Sequence, residues 1–282
     1  MLVESRVDWS RVAEPQADGY DSVITLEFAA QNGYTRPSHQ AVARFLGNAV
    51  ALLPDATVIF PDDYELAPSD HFNVERAEQL IRLWPDGFEQ CQRLLDSVTV
   101  FKHRGSFDDY VIGSVCGPGS RGFGSVAVTV DNHVGFAEGL VHEMGHHKLT
   151  ALGVQLETTQ RLLVNDPSVR FPSPIRYDCL RPMSAVLHAQ YSYTYILALD
   201  LAILRANLDL QRDQCIAERS LAIIAPKLRF GMQVIRAHAA PDRSGELFLT
   251  AFGDWVSRVV NESEQFLRRF NVPEVPFEHP LL

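Results

Sequence analysis

Apolar and polar positions recur along this chain with two periods, and the changes from one to the other outline its elements. Residues 22–28 (SVITLEF) alternate every second position, which predicts a short strand. Residues 37–53 carry Ala41, Val42, Phe45, Leu46, Val50 and Leu53 at helical spacing, with Pro37 or Ser38 as the start signal. Residues 74–95 read as two helices separated at Pro85-Asp86-Gly87. Three alternating segments, 97–101, 109–115 and 125–130 (SVAVTV), read as strands. The first twenty residues are polar and predict a loose arm.

Beyond residue 130 the helical period takes over. Asp131 or Asn132 can cap a helix over 136–152, whose apolar positions are Phe136, Leu140, Met144 and Leu152 and whose stop is Gly153. A proline-rich connector (Pro167, Pro172, Pro174) leads to a second long helix, from Pro182 to about residue 208. The rest, about 211–270, reads as helices broken near Pro226 and again at 241–245. This pattern predicts an α+β fold, predominantly helical, with an N-terminal α/β region over 1–110 and a catalytic region over 111–282, in one domain or two.

The first long helix carries His142-Glu143-Met144-Gly145-His146. Two imidazoles four residues apart share one helix face, so both can offer a nitrogen to a single metal ion. Glu143 is the next residue round and can reach a metal-bound water or a substrate proton. An exposed polar helix face is the alternative. His147 points about 100° away from His146, as a surface residue or a support for the ligands.

Composition narrows the functions. The formal charge of −10 argues against nucleic-acid and anionic-membrane surfaces. The N-terminus lacks the basic start and apolar run of a secretory signal, and no segment has the length of a transmembrane helix. Cys91, Cys116, Cys179 and Cys215 show no paired spacing, which predicts free thiols in a reducing cytoplasm. The glycine-rich stretch 117–124 precedes a strand rather than a helix and lacks GK[ST]; it reads as a turn, or as a rim over the active site, rather than a phosphate loop.

A metal site needs at least one more protein ligand. The continuation HxxGxxH is absent, because Leu152 stands where its last histidine would be. A downstream glutamate is one candidate: Glu157 lies just past the same helix, and Glu218 is the more plausible of the two. His188 is the favoured third ligand, against its alternative as a core histidine. If the second helix extends through Arg181, that residue lies about 10 Å along the axis from His188. Tyr191 and Tyr195 follow one and two turns beyond His188 on the same face. Arg181 can then hold the far carboxylate of a dicarboxylate whose other end chelates the metal, or else form a helix-start salt bridge.

The blocks GFGSVAVTV, FAEGLVHEMGHHKLTALG and RPMSAVLHAQYSY, in that order, resemble the HExxH-motif peptide-modification proteins of bacterial gene clusters for ribosomally made, modified peptides. The likeness spans roughly residues 111–200 and rests on the FG-strand, the extended helix motif through Lys148 and Leu149, and the RPxxxxLH block. The resemblance implies a zincin-like core with an edge strand bordering the metal helix. It also implies Fe(II)- and 2-oxoglutarate-dependent hydroxylation of a peptide β-carbon in a precursor-peptide substrate. His142, His146 and His188 then hold the iron, Arg181 anchors the cosubstrate with Tyr191 and Tyr195 on its face, and Glu143 orients ligands. The alternatives are a zinc peptidase with Glu143 as general base and a non-catalytic peptide-binding scaffold.

Overall fold

The computed structural model describes residues 6–36, 41–53, 63–69, 71–104, 113–116, 122–176, 178–206 and 211–280. It is an α+β fold in which a small mixed sheet flanks a larger helical body. The strands are β1 (Ala43–Phe45), β2 (Val50–Leu53), β3 (Tyr64–Leu66), β4 (Ser97–His103), β5 (Ser114–Cys116) and β6 (Ser125–Thr129). Along the main path the order is β1-β2-β4-β6-β5. β2, β4 and β6 run parallel, while β1 and β5 are antiparallel to their neighbours. β3 pairs with the far end of β4, antiparallel.

The helices are α1 (Trp9–Val12), α2 (Tyr20–Gln31), α3 (Phe72–Ile81), α4 (Pro85–Leu94), α5 (His133–Ala151), α6 (Met183–Arg205), α7 (Gln211–His238) and α8 (Arg243–Arg269). α5 lies against β6 and β5 on one side and against α6 on another; α7 and α8 then cover α6. One buried cluster contains Trp9 and Phe28 as well as Phe136, Tyr191 and Trp255. No helix among the described residues is long and apolar enough to cross a membrane. Cys91, Cys179 and Cys215 are free thiols.

Local chemistry explains the element ends. Pro85 occupies the first turn of α4, where its missing N–H costs nothing and its fixed φ suits a helix. The α5 cap is Asn132, whose Oδ1 accepts from the backbone N–H groups of Val134 (2.8 Å) and Gly135 (3.2 Å). Asp131 instead accepts from the His103 N–H. Past the end of α5, Gly153 takes φ +91°, a left-handed conformation suited to glycine. Asp242 caps α8 through the Gly245 N–H.

Four expectations from the sequence are corrected. Residues 22–28 are helical rather than a strand, because Asp21 and Thr25 are polar yet buried and complete a face with Ile24 and Phe28. Residues 41–53 form β1 and β2, not a helix. Their turn holds Leu46, Gly47 and Asn48 all at positive φ, and the Glu78 carboxylate accepts from the Leu46 and Gly47 N–H groups. The expected arm contains α1, with Trp9 and Val12 buried against α8. α7 passes through Pro226 without a break. Proline lacks the N–H that would reach the Ala222 carbonyl, and that oxygen accepts instead from the Val275 N–H at 3.0 Å. The first part of the strand expected over 109–115, the turn at 117–121 and the helix end at 207–208 lie outside the described residues.

Candidate metal centre

Helical spacing puts His142, His146 and Thr150 on one stripe of α5, with Glu143 beside it, and this stripe lines a cavity of about 670 Å³. Opposite them, Ala185, Ala189 and Tyr193 form a stripe at four-residue spacing on α6, and the small alanines leave room in the cavity. His188 joins the lining from the edge of that stripe. The connector between α5 and α6 closes a third side with Gln155, Glu157, Ile175, Arg176 and Arg181.

The three expected histidine ligands meet. His146 Nε2 lies 3.1 Å from His142 Nε2, and His146 Nδ1 lies 2.9 Å from His188 Nδ1. The His188 Nε2–H donates to the Val154 carbonyl at 2.8 Å, which fixes the tautomer and leaves Nδ1 with its lone pair facing His146. Burial lowers the pKa of His142, drives that of His146 well down and holds His188 near about 4. Neutral imidazoles are the form that ligates a transition metal.

Glu143 stands beside this cluster, its Oε1 3.9 Å from His142 Nε2. The same oxygen accepts from the Ser114 hydroxyl at 2.6 Å, so the edge strand β5 is tied to α5. Neutral imidazoles beside a carboxylate are donors that suit a divalent transition metal. His146, however, turns Nε2 to His142 and Nδ1 to His188, so the three rings do not converge on one point, and among the described residues no group of three His, Cys, Asp or Glu is placed to hold a metal ion. The Nδ1 of His142 is buried and has no hydrogen-bond partner among the described residues.

His147 is not a surface residue; it is 2% exposed. Its Nε2–H donates to the Ser125 carbonyl at 3.1 Å and its Nδ1 accepts from the Gly124 N–H at 3.4 Å, clamping α5 to the start of β6. The glycine is required there, since φ is +86° and a Cβ would sit 2.6 Å from the Leu94 carbonyl.

Arg181 reaches the cavity by a route other than the one expected. α6 begins at Met183 with Pro182 as its cap, so Arg181 is not on the helix and the axial-rise argument does not apply to it. Its backbone pairs in both directions with Phe171 (2.7 and 2.8 Å), and this bridge delivers the side chain to the cavity wall. Tyr191 and Tyr195 do not line the cavity. They share the His188 side of α6, but the rise of 1.5 Å per residue carries them down between α5 and α6, where both are fully buried. There the Tyr191 and Tyr195 hydroxyls lie 3.4 Å apart and Lys148 Nζ lies 3.5 Å from the latter.

Sequence reasoning missed Tyr193, whose ring stands perpendicular to His142 with centroids 5.0 Å apart. The stripe Ala185, Ala189, Tyr193 was the available signal. It also missed Ser114 and the Val154 carbonyl, both set by chain folding alone. Of the two glutamates weighed as ligands, Glu157 lines the cavity but faces Arg170 and Arg181, and Glu218 does not line it. No family model matches the chain, and no curated protein matches it.

Proposed function

We propose that this protein is an Fe(II)- and 2-oxoglutarate-dependent oxygenase that hydroxylates the β-carbon of a side chain in a ribosomally made precursor peptide, in the cytoplasm and on a zincin-like core. The observation that carries the reading is His188. It supplies a third neutral imidazole beside His146, on the wall of a cavity that also holds the Arg181 guanidinium. His142, His146 and His188 are the donors that would hold the iron, and the adjoining cavity would admit the keto acid and oxygen.

When bound, iron with 2-oxoglutarate and oxygen supplies the oxidising power to replace a C–H bond with C–OH, while the keto acid loses carbon dioxide and becomes succinate. His142, His146 and His188 hold the metal, and the Val154 carbonyl keeps the His188 ring in place. Arg181 takes the distal carboxylate, for which a planar guanidinium is suited. Glu143, held by Ser114, orients what enters beside His142. Tyr193 and Ile175 supply apolar wall against the peptide side chain.

The test is anaerobic purification, addition of Fe(II), 2-oxoglutarate and the candidate peptide, exposure to air, and mass measurement. A gain of one oxygen with stoichiometric succinate is expected; a cleaved peptide bond instead sinks the reading. The His188→Ala variant is expected to lose tightly held metal, and full metal occupancy in it would remove His188 from the ligand set. A zinc peptidase is the second reading, favoured by the position of Glu143 beside His142, where a general base would stand.

A further inference from the structure

The cavity wall contributed by the connector is a short two-stranded turn, and it places a carboxylate of the protein itself in front of Arg181. Val154 and Thr159 form a bridge across this turn. The Gln155 N–H donates to the Thr158 carbonyl (2.8 Å) and the Gln160 N–H to the Gly153 carbonyl (2.8 Å). The Ser184 hydroxyl on α6 donates to the Leu156 carbonyl at 2.9 Å. The backbone of the turn is therefore pinned from both sides, while the Glu157 side chain at its tip is 58% exposed.

Glu157 Oε1 lies 3.9 Å from the Arg181 guanidinium and Oε2 accepts from Arg170 Nη1 at 3.2 Å. The neighbouring cation has another partner: Arg176 makes a two-pronged pair with Asp178, at 2.9 and 2.7 Å. Arg181 is thus the cavity guanidinium that Glu157 faces, at a distance longer than a hydrogen bond and easily given up.

We infer that Glu157 competes with the ligand carboxylate for Arg181 and swings aside when a dicarboxylate arrives. The exchange needs rotation of an exposed side chain that keeps or gives up its hydrogen bond from Arg170, while the turn backbone stays tied to α6. Glu157 then sets the affinity of the cavity for carboxylate ligands, excluding those that bind Arg181 no better than a tethered glutamate does. This rests on the proposed role of Arg181 as the carboxylate anchor.

The experiment is calorimetric titration of the Zn(II)-loaded full chain with 2-oxoglutarate, where no turnover occurs, for the wild type, Glu157→Gln, Arg181→Gln and the double variant. Glu157→Gln is expected to bind about two- to fivefold more tightly, the range an exposed ion pair can contribute. Arg181→Gln is expected to bind weakly, with no further gain on adding Glu157→Gln. If Glu157→Gln binds no more tightly than wild type while Arg181→Gln loses affinity, the competition is wrong and the anchor survives. An equal gain from Glu157→Gln with and without Arg181 reduces the effect to bulk charge and overturns the inference. If Arg181→Gln binds as well as wild type, the anchor fails and this inference falls with it.

Discussion

At the scale of single residues, the buried ionisable groups behave according to what surrounds them. Glu138 on α5 and Asp200 on α6 are fully buried, with Ser220 of α7 donating to Glu138 at 3.2 Å. Burial raises the Glu138 carboxyl to about 8 against the pull of its hydrogen bonds from Asp200 and Ser220, while burial together with Glu138 holds Asp200 well above its ordinary range. A carboxyl whose folded pKa exceeds its unfolded one binds more protons when folded. Its stabilisation is complete below the unfolded value, near 4.5, and is lost as pH rises through about 8. The melting temperature is therefore expected to fall between these limits, and Glu138→Gln to flatten that slope. An unchanged profile in the variant would assign the pH dependence elsewhere.

Lys148 has the opposite environment. Its Nζ is fully buried and lies 2.7 Å from Asp21 Oδ2, and Gln90 donates to the same carboxylate oxygen. This residue belongs to the motif that follows His146, yet its side chain points away from the cavity and holds α2 to α5. Removing one partner of a buried pair leaves an uncompensated charge, so Asp21→Leu is expected to cost roughly 3–5 kcal/mol in denaturant unfolding. Pairing it with Lys148→Met is expected to recover most of that loss. If the double variant remains as unstable as the single one, the pair is more than a matched charge.

Among the elements, α7 shows how a break signal is absorbed. Pro226 leaves the Ala222 carbonyl without its helical donor, and the C-terminal tail supplies one from Val275. The tail also stacks His279 on Phe230 of the same helix and sets Phe277 edge-on against it. Pro226→Ala restores a competing N–H. The Val275 amide is then expected to exchange with solvent about fivefold faster, as loss of a bond worth about 1 kcal/mol dictates. Exchange at an unchanged rate would show that stacking, not this bond, holds the tail. The end of α5 followed from Gly153 because capping is local chemistry, while its start, expected near residue 136 with Asp131 or Asn132 as cap, lies at His133 with Asn132 as the cap. The α2 face did not follow, since Asp21 and Thr25 look solvent-directed until Lys148 and the helix neighbours are known.

At the scale of the whole molecule, the N-terminal helices and α5 share one buried cluster, with Trp9 stacked on Phe28 at 5.4 Å and α1 lying on α8. Deleting residues 1–31 strips Lys148 of Asp21 and exposes that cluster. The shortened chain is expected to lose its cooperative thermal transition by calorimetry. A sharp transition near the full-length temperature would show that the remainder folds without them.

The sequence by itself determined the histidine pentad and its helix, the stop at Gly153, the division of 74–95 into two helices and the helical character of the C-terminal half, because each rests on interactions within one or two turns of chain. It also picked out His188 and Arg181 as residues of interest. Only the tertiary structure decided that His188 meets His146 through Nδ1 and that Arg181 reaches the cavity from a bridge instead of a helix. It likewise decided that Tyr193, rather than Tyr191 or Tyr195, faces the space beside His142. These depend on contacts between segments tens of residues apart. Side-chain periodicity says which residues share a face, but which neighbour that face meets, and how far along the axis, follows from packing.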